Sequence, residues 1–366
     1  MNINKWTVAL AAAGVVSFAS VSNAQEAKET VKTLAASTTL SGYVSTSVNW
    51  TPGNAAGVQS YFANTGKTDR IALDVISLTL ASKAGEGEWA AGYKATLWAG
   101  PDAQQLNTSS VNGDVAIKNA YISLRAPLGT GVDLKMGVFD TIIGYEGTDR
   151  NTNPFYSHSW GFSVEPTQHT GLLASYRVSD SISLSAGIAN TTDALINGAA
   201  TNTQRKTYMA AATLTAPESF GFLKGTSVTA GWVGGRANTS ATTVDSIYVG
   251  GTIPLPIAGL SLGLAWDNLG RKDTADTSAI AAYLSYKASD KLSVNARVEY
   301  LDVGANGTIG DTANGSELIS TTIGLDYKLW ANVISRIEYR LDTKSDTIQS
   351  ARKYDSAVIA NVIYNF

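Results

Sequence analysis

Apolar and polar residues alternate one for one along most of this chain. Over 290–302, Leu292, Val294, Ala296, Val298 and Tyr300 fall on one face, and Ser293, Asn295, Arg297 and Glu299 on the other. Residues 331–342 repeat the pattern, with Val333, Ile337, Tyr339 and Leu341 opposite Arg336, Glu338 and Arg340. A period of two is that of an extended strand whose faces meet different media. The alternation marks sixteen segments, at 38–50, 70–82, 88–99, 115–126, 131–140, 167–178, 181–190, 204–216, 225–236, 244–254, 257–268, 277–288, 290–302, 317–328, 331–342 and 353–366. Most have the length a tilted strand needs to cross a bilayer. The predicted fold class is all-β, a transmembrane antiparallel up-and-down β-barrel of about 16 strands.

The connections support this reading, because they alternate in length. Pro127-Leu128-Gly129-Thr130, Ser179-Asp180, Pro254-Leu255-Pro256 and Ser289-Asp290 are short, whereas 51–69, 100–114, 190–203, 268–276, 303–316 and 343–352 are long and polar. With a periplasmic start, every long loop falls outside the cell and every short turn inside, the asymmetry of membrane barrels. Pro217–Lys224 is longer than the other inner turns. Trp50, Trp232, Trp266 and Tyr300 gather at the outer strand ends, and Trp89, Tyr176, Tyr286, Tyr327, Trp330 and Phe366 at the inner ends, as two interfacial girdles would. In the last segment Val358, Ala360, Val362, Tyr364 and Phe366 share the apolar face. An aromatic carboxyl terminus on such a strand resembles the strand by which outer-membrane barrels are recognised by the assembly machinery and closed. Here it is expected to pair with 38–50.

If the apolar faces meet lipid, the charges must face the lumen, since Arg or Lys on lipid at mid-membrane costs about 2–4 kcal/mol. Parity places Lys94, Arg125, Lys135, Arg177, Lys287, Lys328, Arg297, Arg336 and Arg340 inward, with Asp133, Asp267, Asp326, Glu299 and Glu338. The excess of bases predicts a mild anion preference. A sixteen-stranded cylinder is too wide for wall side chains to fill, so an aqueous channel is expected rather than a packed core. Segment 70–82 does not fit: Asp74 shares parity with Ile76, Leu78 and Leu80, which a bulge or a protein contact would explain.

The longest connection, 141–166, is the third outer loop. It is rich in aromatics and contains Gly144-Tyr145-Glu146 and Asp149-Arg150. A loop this long and aromatic is expected to be ordered and functional. It is predicted to enter the barrel and narrow it, with Glu146 and Asp149 facing Arg297, Arg336 and Arg340. The alternative is a surface cap.

Composition narrows the remaining choices. Lys5, the apolar stretch from Thr7 to Ser20 and Ser22-Asn23-Ala24 read as a signal peptide over 1–24. Residues 25–36 are a short periplasmic lead to which no function is assigned, and 37–366 form the barrel. There is no cysteine, so no disulfide framework holds this exported chain. A net charge of -3 gives no reason to propose nucleic acid. His158 and His169 lie in no metal-spaced cluster, and no cofactor is implied. An enzyme is not expected. A hydrolase built from His158, Ser157 or Ser159 and Asp149 would need triad geometry that adjacency on a loop does not provide. Gly234-Gly235 and Gly250-Gly251 read as sites of barrel curvature rather than phosphate loops.

Asn153-Pro154-Phe155-Tyr156-Ser157-His158-Ser159, Glu165-Pro166-Thr167-Gln168-His169-Thr170-Gly171 and Ala174-Ser175-Tyr176-Arg177-Val178-Ser179-Asp180 resemble the OmpL-like beta-barrel porin-2 family, as does Gly144-Tyr145-Glu146 and, more weakly, Leu40-Ser41-Gly42-Tyr43-Val44. The motif block covers about 40 residues, and the strand layout extends the likeness over the mature chain. The resemblance implies an outer-membrane pore that passes small polar solutes passively, set in outer-membrane lipids. Homotrimers are the expectation for barrels of this size. A structural or adhesive barrel with an occluded lumen is the alternative.

Overall fold

A computed structural model describes residues 38–52, 65–85, 89–106, 108, 113–199, 205–237, 242–272, 275–304, 316–345 and 353–366. The segments assigned to the signal peptide and the periplasmic lead lie outside them. The strands are β1 (Thr39–Trp50), β2 (Arg70–Ser82), β3 (Ala90–Ala99), β4 (Val115–Ala126), β5 (Val132–Asp140), β6 (Gln168–Arg177), β7 (Ile182–Ala189) and β8 (Thr207–Thr215), followed by β9 (Ser227–Arg236), β10 (Thr243–Pro254), β11 (Leu260–Arg271), β12 (Thr277–Lys287), β13 (Leu292–Val303), β14 (Ser316–Trp330), β15 (Val333–Lys344) and β16 (Tyr354–Asn365). Each pairs with its sequence neighbour, and β1 pairs with β16, closing the barrel. The expected boundaries hold to within three residues, the largest differences lying at Thr207, Leu260 and Arg271. The long inner turn carries a 3₁₀ segment, Glu218–Leu223. Two short helices sit in outer loops: α1 (Pro101–Gln105) and α2 (Trp160–Val164).

The outer wall is apolar. Ile71 is 86% exposed, Met136 71% and Ile122 66%, which only a lipid environment accommodates. Trp50, Trp232, Trp266, Tyr300, Trp89, Tyr286, Tyr327, Trp330 and Phe366 are exposed in the two expected rings, whereas Tyr176 is half-buried. At the seam, Tyr364 pairs with Val44 and Val362 with Thr46. Gly42 and Phe366 exchange backbone hydrogen bonds of 2.9 and 3.0 Å. A Cβ on Gly42 would overlap the Ser77 carbonyl oxygen and the Phe366 ring, so the closing contact requires glycine there.

Two bulges correct the parity reading. Ser45 pairs with Val75 and Thr46 with Leu73, leaving Asp74 as the extra residue. Asp74 thereby turns inward, out of step with Ile76 and Leu78, and is fully buried. Across β3 and β4, Thr96 pairs with Asn119 and Leu97 with Ile117, which releases Lys118 in the same way. Both charges share parity with lipid-facing neighbours, and both end in the lumen.

The glycine pairs also have close neighbours. They make room for ring side chains and close strand contacts: Gly234 lies against Trp232, Gly250 against Tyr248, and Gly251 against the Ser227 carbonyl.

Candidate functional site

The third outer loop, 141–167, lies inside the barrel. Gly144 opens its descent at φ 113, in the left-handed region that favours glycine, with Glu165 packed where a Cβ would stand. Each residue of Asn153–Ser159 then has a physical task. The Asn153 amide closes a ring on Gly147: its oxygen accepts the Gly147 N–H at 3.0 Å, and its nitrogen donates to the Gly147 carbonyl at 2.6 Å. His158 Nε2 reaches the same carbonyl at 2.9 Å, and its ring lies 4.3 Å from that of Phe162. Ser159 caps α2 by accepting the Phe162 N–H at 3.0 Å. Phe155 is fully buried, with the Arg297 guanidinium 4.8 Å from its ring centroid.

The wall grips the loop by its backbone. The N–H groups of Tyr156 and Ser157 donate to Glu338 Oε2 at 2.7 and 3.2 Å, and the Trp160 N–H donates to Glu299 at 2.6 Å. Arg297 donates to the Ser157 carbonyl at 2.9 Å, Arg340 to that of His158 at 2.6 Å, and Arg336 to that of Asn153 at 2.7 Å. These charged residues on β13 and β15 are all nearly fully buried. Their charges are also matched: Arg297 meets Glu146 and Glu299, each at 2.7 Å, Arg340 meets Asp342 at 2.9 Å, and Arg336 meets Asp326 at 2.6 Å.

Glu146 therefore faces Arg297 as expected, but Asp149 does not face the arginines. It pairs with Lys118 at 2.9 Å, and Lys118 also binds Asp140 at 3.0 Å. The bulge at Lys118 is the physical reason, since it places a base closer to Asp149. The inner rim holds Arg125, paired with Asp133 at 3.0 Å, and Arg177, paired with Asp180 at 2.8 Å. Lys94 and Lys135 project from β3 and β5 half-exposed, and Lys135 lies 5.2 Å from the Tyr121 ring centroid.

A second buried knot was not foreseen. Asp74 accepts hydrogen bonds from Ser45 and Ser47, each at 2.8 Å, and from Tyr156 at 2.7 Å, and it pairs with Lys67 at 3.1 Å. Asp102 of α1 joins Lys67 to Arg150, whose Nε stands 2.5 Å away. Arg150 also covers the Tyr156 ring at 4.1 Å. The misfit of Asp74 was the one sequence signal for this cluster.

The expectation of an unpacked lumen is overturned on one side. Ile143 and Phe155 of the loop pack with inward-facing Leu173, Met209, Val233 and Tyr248, so an apolar cluster joins the loop to β6–β12. The sixteen-stranded wall alone cannot fill its interior; the loop supplies the missing volume.

Burial and neighbouring charges together set the protonation of three loop groups. It pushes the Glu146 carboxyl up, but Arg297, His158, the Ser159 N–H and Tyr283 outweigh it and hold Glu146 below the ordinary range. It depresses His158 to about 4, against the attraction of Glu146, so the ring is neutral. It also raises Glu165 well above the usual carboxyl range, helped by the neighbouring Asp267. Ser157, His158 and Asp149 are engaged with Glu338, Gly147 and Lys118 respectively, not arranged as a nucleophilic relay.

Beneath the loop, on the periplasmic side, a recess of about 560 Å³ lies between Tyr145, Asn151, Thr152 and the wall at Ser227, Thr229, Thr252 and Ser285.

Comparisons with known proteins agree with this architecture. The family model described as "beta-barrel porin-2, OmpL-like" matches residues 37–366. Among solved structures, the outer membrane channel DcaP of Acinetobacter baumannii superposes with a TM-score of 0.61 at 14% identity, covering 90% of this chain and 97% of that one. The anion-selective porin of Comamonas acidovorans gives 0.60 at 16%, covering 90% and 99%. The trimer form of OmpT from Vibrio cholerae gives 0.59 at 14%, with the same coverage. At these identities the likeness is one of fold. A search of the curated proteins finds no match.

Proposed function

The chain belongs to the beta-barrel porin-2, OmpL-like family and forms a porin channel in the bacterial outer membrane; we propose that small hydrophilic solutes diffuse past its lumenal loop along the sector of β3, β4 and β5, with a mild preference for anions. One observation carries this reading. The inward bases Lys94 and Lys135 stay half-exposed in that sector, and no ion pair engages either among the described residues. Arg297, Arg336 and Arg340 are buried and matched by carboxylates, so they add little to the field an ion meets. The preference thus rests on two half-exposed lysines rather than on the excess of bases counted over the whole wall. The loop, in this reading, is the constriction.

Homotrimeric association is part of the same proposal and is supported by the trimer form of the Vibrio protein. The apolar outer band would sit in outer-membrane lipid, and the terminal strand ending in Phe366 would be read by the barrel assembly machinery.

Reconstitution in a planar bilayer under a KCl gradient tests the reading. The reversal potential should have the sign of anion preference, and Lys94→Glu with Lys135→Glu should move it toward cations. A cation preference in the unaltered protein would contradict the assignment. The apolar packing of Ile143 and Phe155 favours a second reading, an occluded barrel, which the absence of any current would establish.

A further inference from the structure

On the periplasmic side, each of β6–β12 carries at least one hydroxyl on its inward face, with small residues between them. Register pairs Thr213 with Thr229, Ser227 with Thr252, and Ser261 with Ser285. None of the six is buried. The Thr213 and Thr229 hydroxyls lie 2.8 Å apart, and the neighbouring Ser175–Ser185 pair at 3.0 Å continues the row. Charges stand at the rim of the same sector, where Arg177 pairs with Asp180 and Lys287 with Asp290, and on its flanks, at Arg125 and Asp133 on one side and at Asp326 and Arg336 on the other. Ser227, Thr229, Thr252 and Ser285 of this series line the recess under the loop, together with Asn151, Thr152, Tyr145 and the paired Asp326 and Arg336.

We propose that this row is a binding track for neutral polyhydroxylated solutes, of the chemical class of small saccharides. A hydroxyl offers one donor and two acceptor sites, so a side-by-side pair that spends one donor internally still presents both functions to the lumen. An ion gains little from such a surface, because it has no net charge. A solute with many hydroxyls can exchange its water contacts for wall contacts one at a time as it moves. Each contact is weak, and their number gives residence without trapping, which permeation requires. Tyr145, held by the ring of Tyr283 at 4.2 Å, lies against the row itself, its hydroxyl 3.2 Å from that of Thr252, and adds a rigid apolar ring beside the free hydroxyls. The inference rests on the channel reading above but not on the anion preference, since the track and Lys94 and Lys135 occupy different sectors.

The test is single-channel current in KCl with sucrose added on the periplasmic side. The unaltered protein should show a saturable block beyond the fall in bulk conductivity. The triple variant Thr213→Val, Thr229→Val, Ser285→Ala, which leaves the Thr252 contact to Tyr145 in place, should keep its KCl conductance and bind sucrose about tenfold more weakly. Thr229→Ser alone should retain the block. If the triple variant fails to assemble, Thr229→Val and Ser285→Ala separately carry the same comparison. A dimethyl-capped ethylene glycol oligomer of matching size, which lacks donors, should not give the saturable block. Conductance that falls only with bulk conductivity, equal block in wild type and variants, or equal block by the capped oligomer would overturn the track. A complete lack of KCl current would instead overturn the channel reading on which it rests.

Discussion

Arg297 on β13 and Glu146 of the lumenal loop meet at 2.7 Å across 151 positions of chain, both fully buried. The pair fixes the height of the loop in the barrel, because Arg297 also holds the Ser157 carbonyl. Breaking a buried pair by removing one partner leaves an uncompensated charge and costs about 3–5 kcal/mol. Arg297→Ala or Glu146→Ala should therefore release the loop. The expected outcome is higher, noisier single-channel conductance and a lower urea midpoint in lipid vesicles. The double variant should be less destabilised than the two single losses summed. Deleting 147–158 should raise conductance further, and an unchanged conductance would show that the loop is no constriction.

The Asp74 bulge yields a sharper test. Asp74 is an insertion relative to the regular ladder, so deleting it leaves Leu73 outward and Val75 inward, as they already are. The deletion variant should still assemble, but Lys67 and Tyr156 lose their shared acceptor. Limited proteolysis should then cut the outer loops faster in the deletion variant than in the parent. Equal protection would rule out Asp74 as an anchor.

Acid should loosen the loop through His158. The undocked imidazole takes up its proton near 6.5 and the docked one only near 4. The protonated state thus favours undocking, so the His158 contribution to docking weakens as pH falls from about 6.5 to about 4 and is constant above that window, whereas the raised carboxyl of Glu165 acts in the opposite direction as pH rises. The depressed carboxyl of Glu146 acts in the same direction as His158 at the acid end. Between pH 8 and pH 5 the His158 contribution is a loss in docking equilibrium on the order of tenfold or more, read as the difference in conductance between the parent and His158→Gln. His158→Gln should flatten the profile; identical profiles would assign the response elsewhere.

The seam predicts an assembly defect. Gly42→Val places a branched side chain against the Ser77 carbonyl and the Phe366 ring. The variant should show slower appearance of the heat-modifiable folded band and less folded protein at steady state. Phe366→Ala combined with Gly42→Ala should recover part of the loss, because it removes one of the two obstructions.

The strands were legible because lipid imposes one rule on every outward position, and a rule of that kind survives in a single sequence. The loop's interior course was legible too, from its length and its aromatics. Parity could not supply partners. It put Arg336 and Arg340 inward, but not against the carbonyls of Asn153 and His158, since that depends on where a distant loop lies. Lys118 was hidden because its bulge gives it the parity of Ile122 and Leu124. Asp74 was hidden in the same way but announced itself, being an acid among leucines and isoleucines. The apolar cluster around Ile143 was missed because Leu173, Met209 and Val233 stand among small and polar inward neighbours, and nothing local marks them as contacts.

The grip of β15 on the loop also has a consequence in time. Tyr156 and its acceptor Glu338 are 182 positions apart, and Asn151 reaches Asn365 at 2.8 Å near the end of the chain. During export the loop arrives long before the residues that hold it. The bonds that β15 and β16 make to the loop can thus form only once the last hairpin is in place, after those from β13. Full seating of the loop is accordingly a receipt for a finished wall.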